Sequence, residues 1–149
     1  MYFALIHSHI NYASVITSGA SKGDWKPILK LQEKAVRIIN NSTYNSPTGP
    51  IFKKLKILKV NDIIKTNSLC YAWKAFHTTL PSAILEIIDK GSERNMSIKT
   101  KKYPTQKIMN ISPLYHITQD WNSLPLSIKR IPTLKAFQKA RMNFTLDTY

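Results

Sequence analysis

The stretch from Ile63 to His77 sets the terms for the rest of the chain. Wound as a helix, it carries Ile63, Ile64, Leu69, Cys70, Tyr71, Ala72, Trp73, Ala75 and Phe76 on every side, and Asn61 or Asp62 stands ready to cap it. A helix that is apolar all round is stable only when its neighbours cover every face. The remaining segments therefore have to supply helices, each offering an apolar stripe to this central one.

The flanking sequence reads that way. A helix is expected from Met1 to about Thr17, with Leu5, Ile6, Ile10 and Ala13 on one side; a strand over Ser14–Thr17 is the alternative there. Gly19 to Gly23 breaks the chain, and Asp24 caps a helix over Trp25–Ile39. Asn40 to Pro50 is a loop by composition, Ile51–Ile57 a short helix, and Pro81 opens a helical stretch ending near Asp89. Leu114–Leu124 is helical, and Thr133 caps a last helix whose core face is Leu134, Phe137, Ala140 and Phe144. Residues 90–112 differ: Gly91, Ser92, Asn95 and Pro104 surround a cluster of lysines, which suggests a mobile basic connector with room for a strand at Lys107–Ile111. The expected fold is mainly α, a small helical domain of about five to seven helices with an irregular basic connector and room for one short strand pair. Its expected organisation is a helical domain over 1–89, the connector over 90–112, and a helical tail over 113–149 that packs back on the first part.

Charge then narrows the function. Twenty-two Lys and Arg face eight Asp and Glu, a net charge of +14. Such an excess repels itself in isolation and is relieved by a polyanion. Nucleic acid is the usual one, because each neutralised phosphate also releases counterions; a membrane surface or an acidic protein offers the same relief. Along 25–39, stepping about 100° per residue from Lys26 puts Arg37, Lys30 and Lys34 at roughly 20°, 40° and 80°. Trp25, Ile28, Leu29, Leu31, Ala35, Val36, Ile38 and Ile39 fall between roughly 120° and 300° on the same wheel, which reads as the core side. Lysines crowd ordinary solvated helix faces too. Four like charges on one ridge with only Glu33 near them nevertheless favour an anionic partner. The candidate contact residues are Lys26, Lys30, Lys34 and Arg37 on this ridge, Lys53 and Lys54 on the next helix, and Lys99, Lys101 and Lys102 in the connector. Trp25, Tyr44, Tyr103 and Tyr115 lie close to basic residues and are candidates for stacking on unpaired bases, whereas Trp73 and Trp121 read as core.

Catalytic constellations are missing from the sequence. The carboxylates Asp24, Glu33, Asp62, Glu86, Asp89, Glu93, Asp120 and Asp147 form no close pair of the sort two-metal phosphoryl transfer requires. Glu86 and Asp89 could share a helix face, but a charged helix end explains them. His7 and His9 are spaced wrongly for one helix face and lack further ligands, so no metal or other cofactor is expected. The single cysteine, Cys70, falls on the apolar helix and reads as a small core residue, and with no internal disulfide available a reducing, intracellular setting, nucleus or cytoplasm, is the default. No clean apolar run is long enough to span a membrane.

Four segments in series carry a family resemblance. They are Ala4-Leu5-Ile6-His7-Ser8-His9-Ile10-Asn11-Tyr12; Leu31-Gln32-Glu33-Lys34-Ala35-Val36-Arg37-Ile38-Ile39; Phe52-Lys53-Lys54-Leu55-Lys56-Ile57-Leu58-Lys59-Val60-Asn61-Asp62; and Trp121-Asn122-Ser123-Leu124-Pro125 with Ile128-Lys129 and Leu134-Lys135-Ala136-Phe137 after it. In this order and spacing the chain resembles the C-terminal region, thumb and post-thumb, of reverse transcriptases from non-LTR retrotransposons of the Jockey-like, LINE-type kind. The resemblance is weakest over 85–112. It implies a piece of an RNA-directed DNA polymerase that grips the template–primer or the element's RNA, next to a polymerase palm that holds the catalytic aspartates of a Tyr/Phe-x-Asp-Asp turn. That turn does not occur in this sequence. The resemblance therefore implies a non-catalytic fragment with no enzyme activity of its own; a free-standing host nucleic-acid-binding or adaptor domain is the alternative. The pattern departs from the family at Ala13, Thr17, Ser18 and Ile117, where the family carries glycine or a Trp-Gly pair.

Overall fold

The computed structural model describes residues 2–12, 14–20, 22–77, 88–99 and 102–149. A π-helical turn, Phe3–His7, runs into α1 (Ser8–Asn11), and a 3-10 turn spans Ile16–Gly19. After them come α2 (Lys22–Ile39), α3 (Thr48–Leu55), α4 (Val60–His77), α5 (Gln106–Ile111), α6 (Pro113–Asn122), α7 (Leu126–Lys129) and α8 (Leu134–Leu146). The chain is mainly helical, as the central apolar segment demands. The expected helix after Pro81 falls largely outside the described residues.

α4 is the central helix. Val60, Ile63, Ile64, Leu69, Cys70, Ala72, Trp73 and Ala75 are all buried along it, and α1, α2, α6, α8 and the 3-10 turn pack around it. Its C-terminal half forms one core with Ile88, Ile98, Ile117, Trp121, Leu124 and Phe137. Aromatic rings fill this core: Phe76 stacks on Trp121 at 5.4 Å, and Trp121 and Phe137 are 6.2 Å apart. Each such buried ring is worth about 1.5–3 kcal/mol, and their polar handles are matched. Trp73 donates to the Ile131 carbonyl (2.9 Å) and Trp121 to that of Met96 (2.6 Å). A second cluster lies between α2 and α3, built from Val36, Ile51, Phe52 and Ile57 with Tyr2 from the first turn. Tyr149, the last residue, folds back onto it, its ring 6.2 Å from Phe52.

Several boundaries move from the sequence expectation, each for a local reason. The N-terminal run is interrupted by extended Tyr12, and 16–19 is a 3-10 turn rather than a helix end or a strand. Gly19 there lies so close to the Ile111 carbonyl that any side chain would collide with it. α2 starts at Lys22, which leaves Asp24 in the first turn, where a carboxylate suits the positive end of the helix. It ends at Ile39; Asn41 takes a φ of 50°, and the Ser42 N–H returns to the Arg37 carbonyl (2.9 Å).

Residues 107–111, expected as a strand, are helical. Thr105 caps α5 by accepting from the Ile108 N–H (3.3 Å), and Pro113 opens α6 immediately after. Among the described residues the strand pair shrinks to one antiparallel bridge, Lys90 to Ile98. Part of the connector segment is tied to the rest of the fold. Ile88 and Ile98 are buried in the main core, and Asn122 clamps the Ile98 backbone by donating to its carbonyl (2.8 Å) and accepting its N–H (3.0 Å). On α8 the buried stripe is Phe137, Arg141 and Thr145 at steps of four, so Phe144 is exposed instead of core, with the Arg141 guanidinium over its ring.

Candidate nucleic-acid interface

α2 presents the basic surface. Its buried centre is Gln32 and Val36. Gln32, 1% exposed, is the anchor: its amide donates to the Tyr2 hydroxyl (2.6 Å) and the Leu58 carbonyl (2.8 Å) and accepts the Val60 N–H (2.9 Å). On the wheel used above Gln32 sits at roughly 240° and Val36 at roughly 280°, so the face directly opposite is centred near Lys34. Lys26, Lys30 and Lys34 are exposed along that face, and among the described residues none has a carboxylate within ion-pair distance. At a rise of about 1.5 Å per residue the three ammonium stems leave the helix at steps of about 6 Å.

The same anchoring overturns one expectation. Leu31 and Ile38 read as core, yet they are 64% and 74% exposed. Satisfying the Gln32 amide turns the helix by roughly 50° from the orientation its apolar residues alone would choose, and both side chains are left in solvent beside the lysines.

Arg37 is half-buried and partly committed. Its Nε donates to the Ser46 carbonyl (3.0 Å), and its guanidinium lies 5.9 Å from the Tyr44 ring centre. Glu33 on the same helix accepts a hydrogen bond from Thr48 (3.2 Å). Lys34, Arg37, Ile38, Ser42 and Tyr44 line a shallow depression where α2 meets the loop after it. On α3, Lys53 and Lys54 are exposed, and Lys54 donates to the Asn40 side chain (2.9 Å), which joins α3 to the C-terminal end of α2.

Lys99 pairs with Asp89 at 3.2 Å, so part of its charge is already answered; Lys102 is exposed, and Lys101 lies outside the described residues. No hydrogen bond or ion pair among the described residues ties them to α2. Sequence reasoning also missed Lys59, whose ammonium sits 4.3 Å from the centre of the Tyr149 ring. The Tyr149 hydroxyl accepts from the Lys59 N–H (2.9 Å) and donates to Asp62, and burial together with that carboxylate raises its pKa well above the ordinary phenol value. Nothing in the local sequence marks a terminal tyrosine for this role.

Burial pushes the Cys70 thiol up, away from the reactive thiolate, and pulls buried Lys129 down, its ammonium held on the Asn122 carbonyl (3.3 Å). A cleft behind Trp25 is crossed by the Lys65–Asp120 ion pair (2.7 Å). Among the described residues no three His, Cys, Asp or Glu side chains gather to hold a metal, and no helix is long and apolar enough to cross a membrane. Compared with protein-family models, with curated proteins and with solved structures, the chain matches none.

Proposed function

We propose that the chain is a non-catalytic nucleic-acid-binding piece of an RNA-directed DNA polymerase of the non-LTR retrotransposon kind, corresponding to the thumb and the helical tail beyond it. It holds RNA or DNA through the phosphate backbone, without reading sequence. The observation that carries this reading is the α2 ridge: Lys26, Lys30 and Lys34 stand exposed on one face of a helix whose opposite face is held in the core by Gln32, and among the described residues none has a carboxylate within ion-pair distance. Like charges at regular spacing on one helix face cost self-repulsion, and a phosphate backbone removes that cost while releasing counterions. Four sequence segments in family order support the polymerase assignment, and in such an assembly the neighbouring palm supplies the chemistry.

Binding measured against salt tests the reading. The logarithm of affinity should fall steeply with the logarithm of salt concentration, equally for unrelated sequences. Replacing Lys26, Lys30 and Lys34 together with Gln removes three phosphate contacts. The slope should then become shallower by about 2.7 on duplex DNA or about 2.1 on single strands, taking about 0.9 or 0.7 per contact. An unchanged slope in the triple variant removes the ridge from the interface.

A further inference from the structure

We infer that the depression at the C-terminal end of α2 seats an unpaired nucleobase, so that the polymer held on this surface is single-stranded RNA or DNA rather than duplex. The inference rests on the reading of the α2 ridge as a phosphate-binding surface, and it adds the chemistry of what lies between the phosphates.

The depression combines features that a phosphate contact alone does not need. Ile38 and Tyr44 are each 74% exposed, and they share the depression with Lys34 and Arg37. Two turns back from Ile38 along the same face, Leu31 is exposed too. Exposed apolar side chains forgo burial and like charges along one face repel one another, and here the two are interleaved on one helix face. A nucleotide answers both at once, since it offers a flat apolar π-face attached to a phosphate. Lys34 and Ile38 are one turn apart, about 6 Å along the helix, which is within the reach of a base and its own backbone. A duplex supplies the phosphates but keeps its bases stacked inside.

The arrangement also singles out one aromatic residue from the four that the sequence offered. Tyr103 is half-buried, with its hydroxyl bonded to Ser112 (3.0 Å) and its ring edge-on to Tyr115 at 6.0 Å. Trp25 is half-buried at the wall of the cleft crossed by the Lys65–Asp120 pair. Tyr44 presents its ring to solvent, and the Arg37 guanidinium beside it is held in place by the Ser46 carbonyl. An open ring next to a fixed planar cation is the stacking platform that unpaired bases use, and it is indifferent to base identity because every base has a π-face.

The experiment is fluorescence polarisation with a labelled single-stranded oligonucleotide and a blunt duplex of the same length. The single strand is expected to bind more tightly. Tyr44→Ala should weaken it by about tenfold, equivalent to about 1.4 kcal/mol and in the range of one base–aromatic stack. The same variant should leave duplex binding and the salt slope in place, and Tyr44→Phe should keep the affinity. A 5-bromouridine photo-crosslink to the unaltered protein should map to Tyr44 or to the residues lining the depression. Duplex binding as tight as single-strand binding, an equal loss on both polymers, no loss on either, or a crosslink mapping to another face each overturns the inference while the ridge reading stands. Absence of salt-dependent binding to both polymers overturns the ridge reading, and this inference with it.

Discussion

Gln32 is where fold and interface meet, and replacing it with Leu tests both. The side chain is 1% exposed and makes three hydrogen bonds, to the Tyr2 hydroxyl, the Leu58 carbonyl and the Val60 N–H. Leu is of similar size, so the cavity contribution is small and the cost comes from partners left behind. Tyr2 and Val60 are both buried, and each orphaned buried group costs about 1–3 kcal/mol. The added apolar burial of Leu returns about 1 kcal/mol, for a net loss of about 3 kcal/mol. With an m-value of about 2 kcal/mol per M in urea, the unfolding midpoint should fall by about 1.5 M. Gln32→Glu supplies a control of opposite pH behaviour. A buried carboxylate next to the Leu58 carbonyl is disfavoured in its charged form, so its folded pKa is raised. That variant should be destabilised at neutral pH and recover as acid protonates the new carboxyl. A midpoint shift below about 0.3 M for Gln32→Leu, or a Gln32→Glu variant indifferent to pH, would refute the idea that this amide locks α2.

Two further predictions concern the segments folded onto this frame. Asn122→Ala releases both backbone groups of Ile98 and should cost about 1–2 kcal/mol, read as faster hydrogen exchange at the Ile98 amide; unchanged protection there would mean that the 88–99 segment is held by its buried isoleucines alone. Tyr149→Phe removes the bonds to Asp62 and from the Lys59 N–H and should cost about 1–2 kcal/mol near neutrality. Because the folded pKa of Tyr149 is raised above the ordinary 10.0, its contribution is complete below pH 10 and is lost as the unfolded phenol ionises above it. The stability gap between wild type and variant, from urea midpoints, should therefore narrow above pH 10, and a constant gap contradicts the assignment.

Helix identity was legible because it rests on period and on caps. An apolar circumference over 63–77 has no other stable outcome, and Thr133 and Pro113 mark helix starts by their own chemistry. Rotation of a helix about its axis was not legible. At α2 the apolar residues pointed the core face toward Leu31 and Ile38, but a polar residue decides it, and its three partners come from positions 2, 58 and 60. Phe144 was also misplaced, since the buried stripe of α8 runs through Phe137, Arg141 and Thr145. The connector looked loose because Gly91, Ser92 and its lysines are loop formers; the clamp that holds it is a side chain on α6, which local composition cannot reveal. Of the proposed site residues, the sequence placed Lys26, Lys30 and Lys34 together by spacing. It had no means of seeing that Arg37 is tied to Ser46 or Lys99 to Asp89.

Those two failures of rotation differ in what they leave behind. On α8 the turn exposes Phe144 beneath the Arg141 guanidinium, which covers part of the ring. On α2 it leaves Leu31 and Ile38 in water on the side of Lys34, which has no ion pair among the described residues. Exposed apolar surface forgoes about 25 cal/mol per Å², and a turn of roughly 50° would recover it while carrying Lys34 toward the edge of the buried sector. The hydrogen bonds of Gln32 oppose that turn. An apolar residue at position 32 would permit it; the amide does not, and so the helix keeps its apolar stripe and its charge on one open face. A surface with both properties is poorly suited to bare solvent and well matched to a chain of unpaired nucleotides, whose bases and phosphates alternate in the same way.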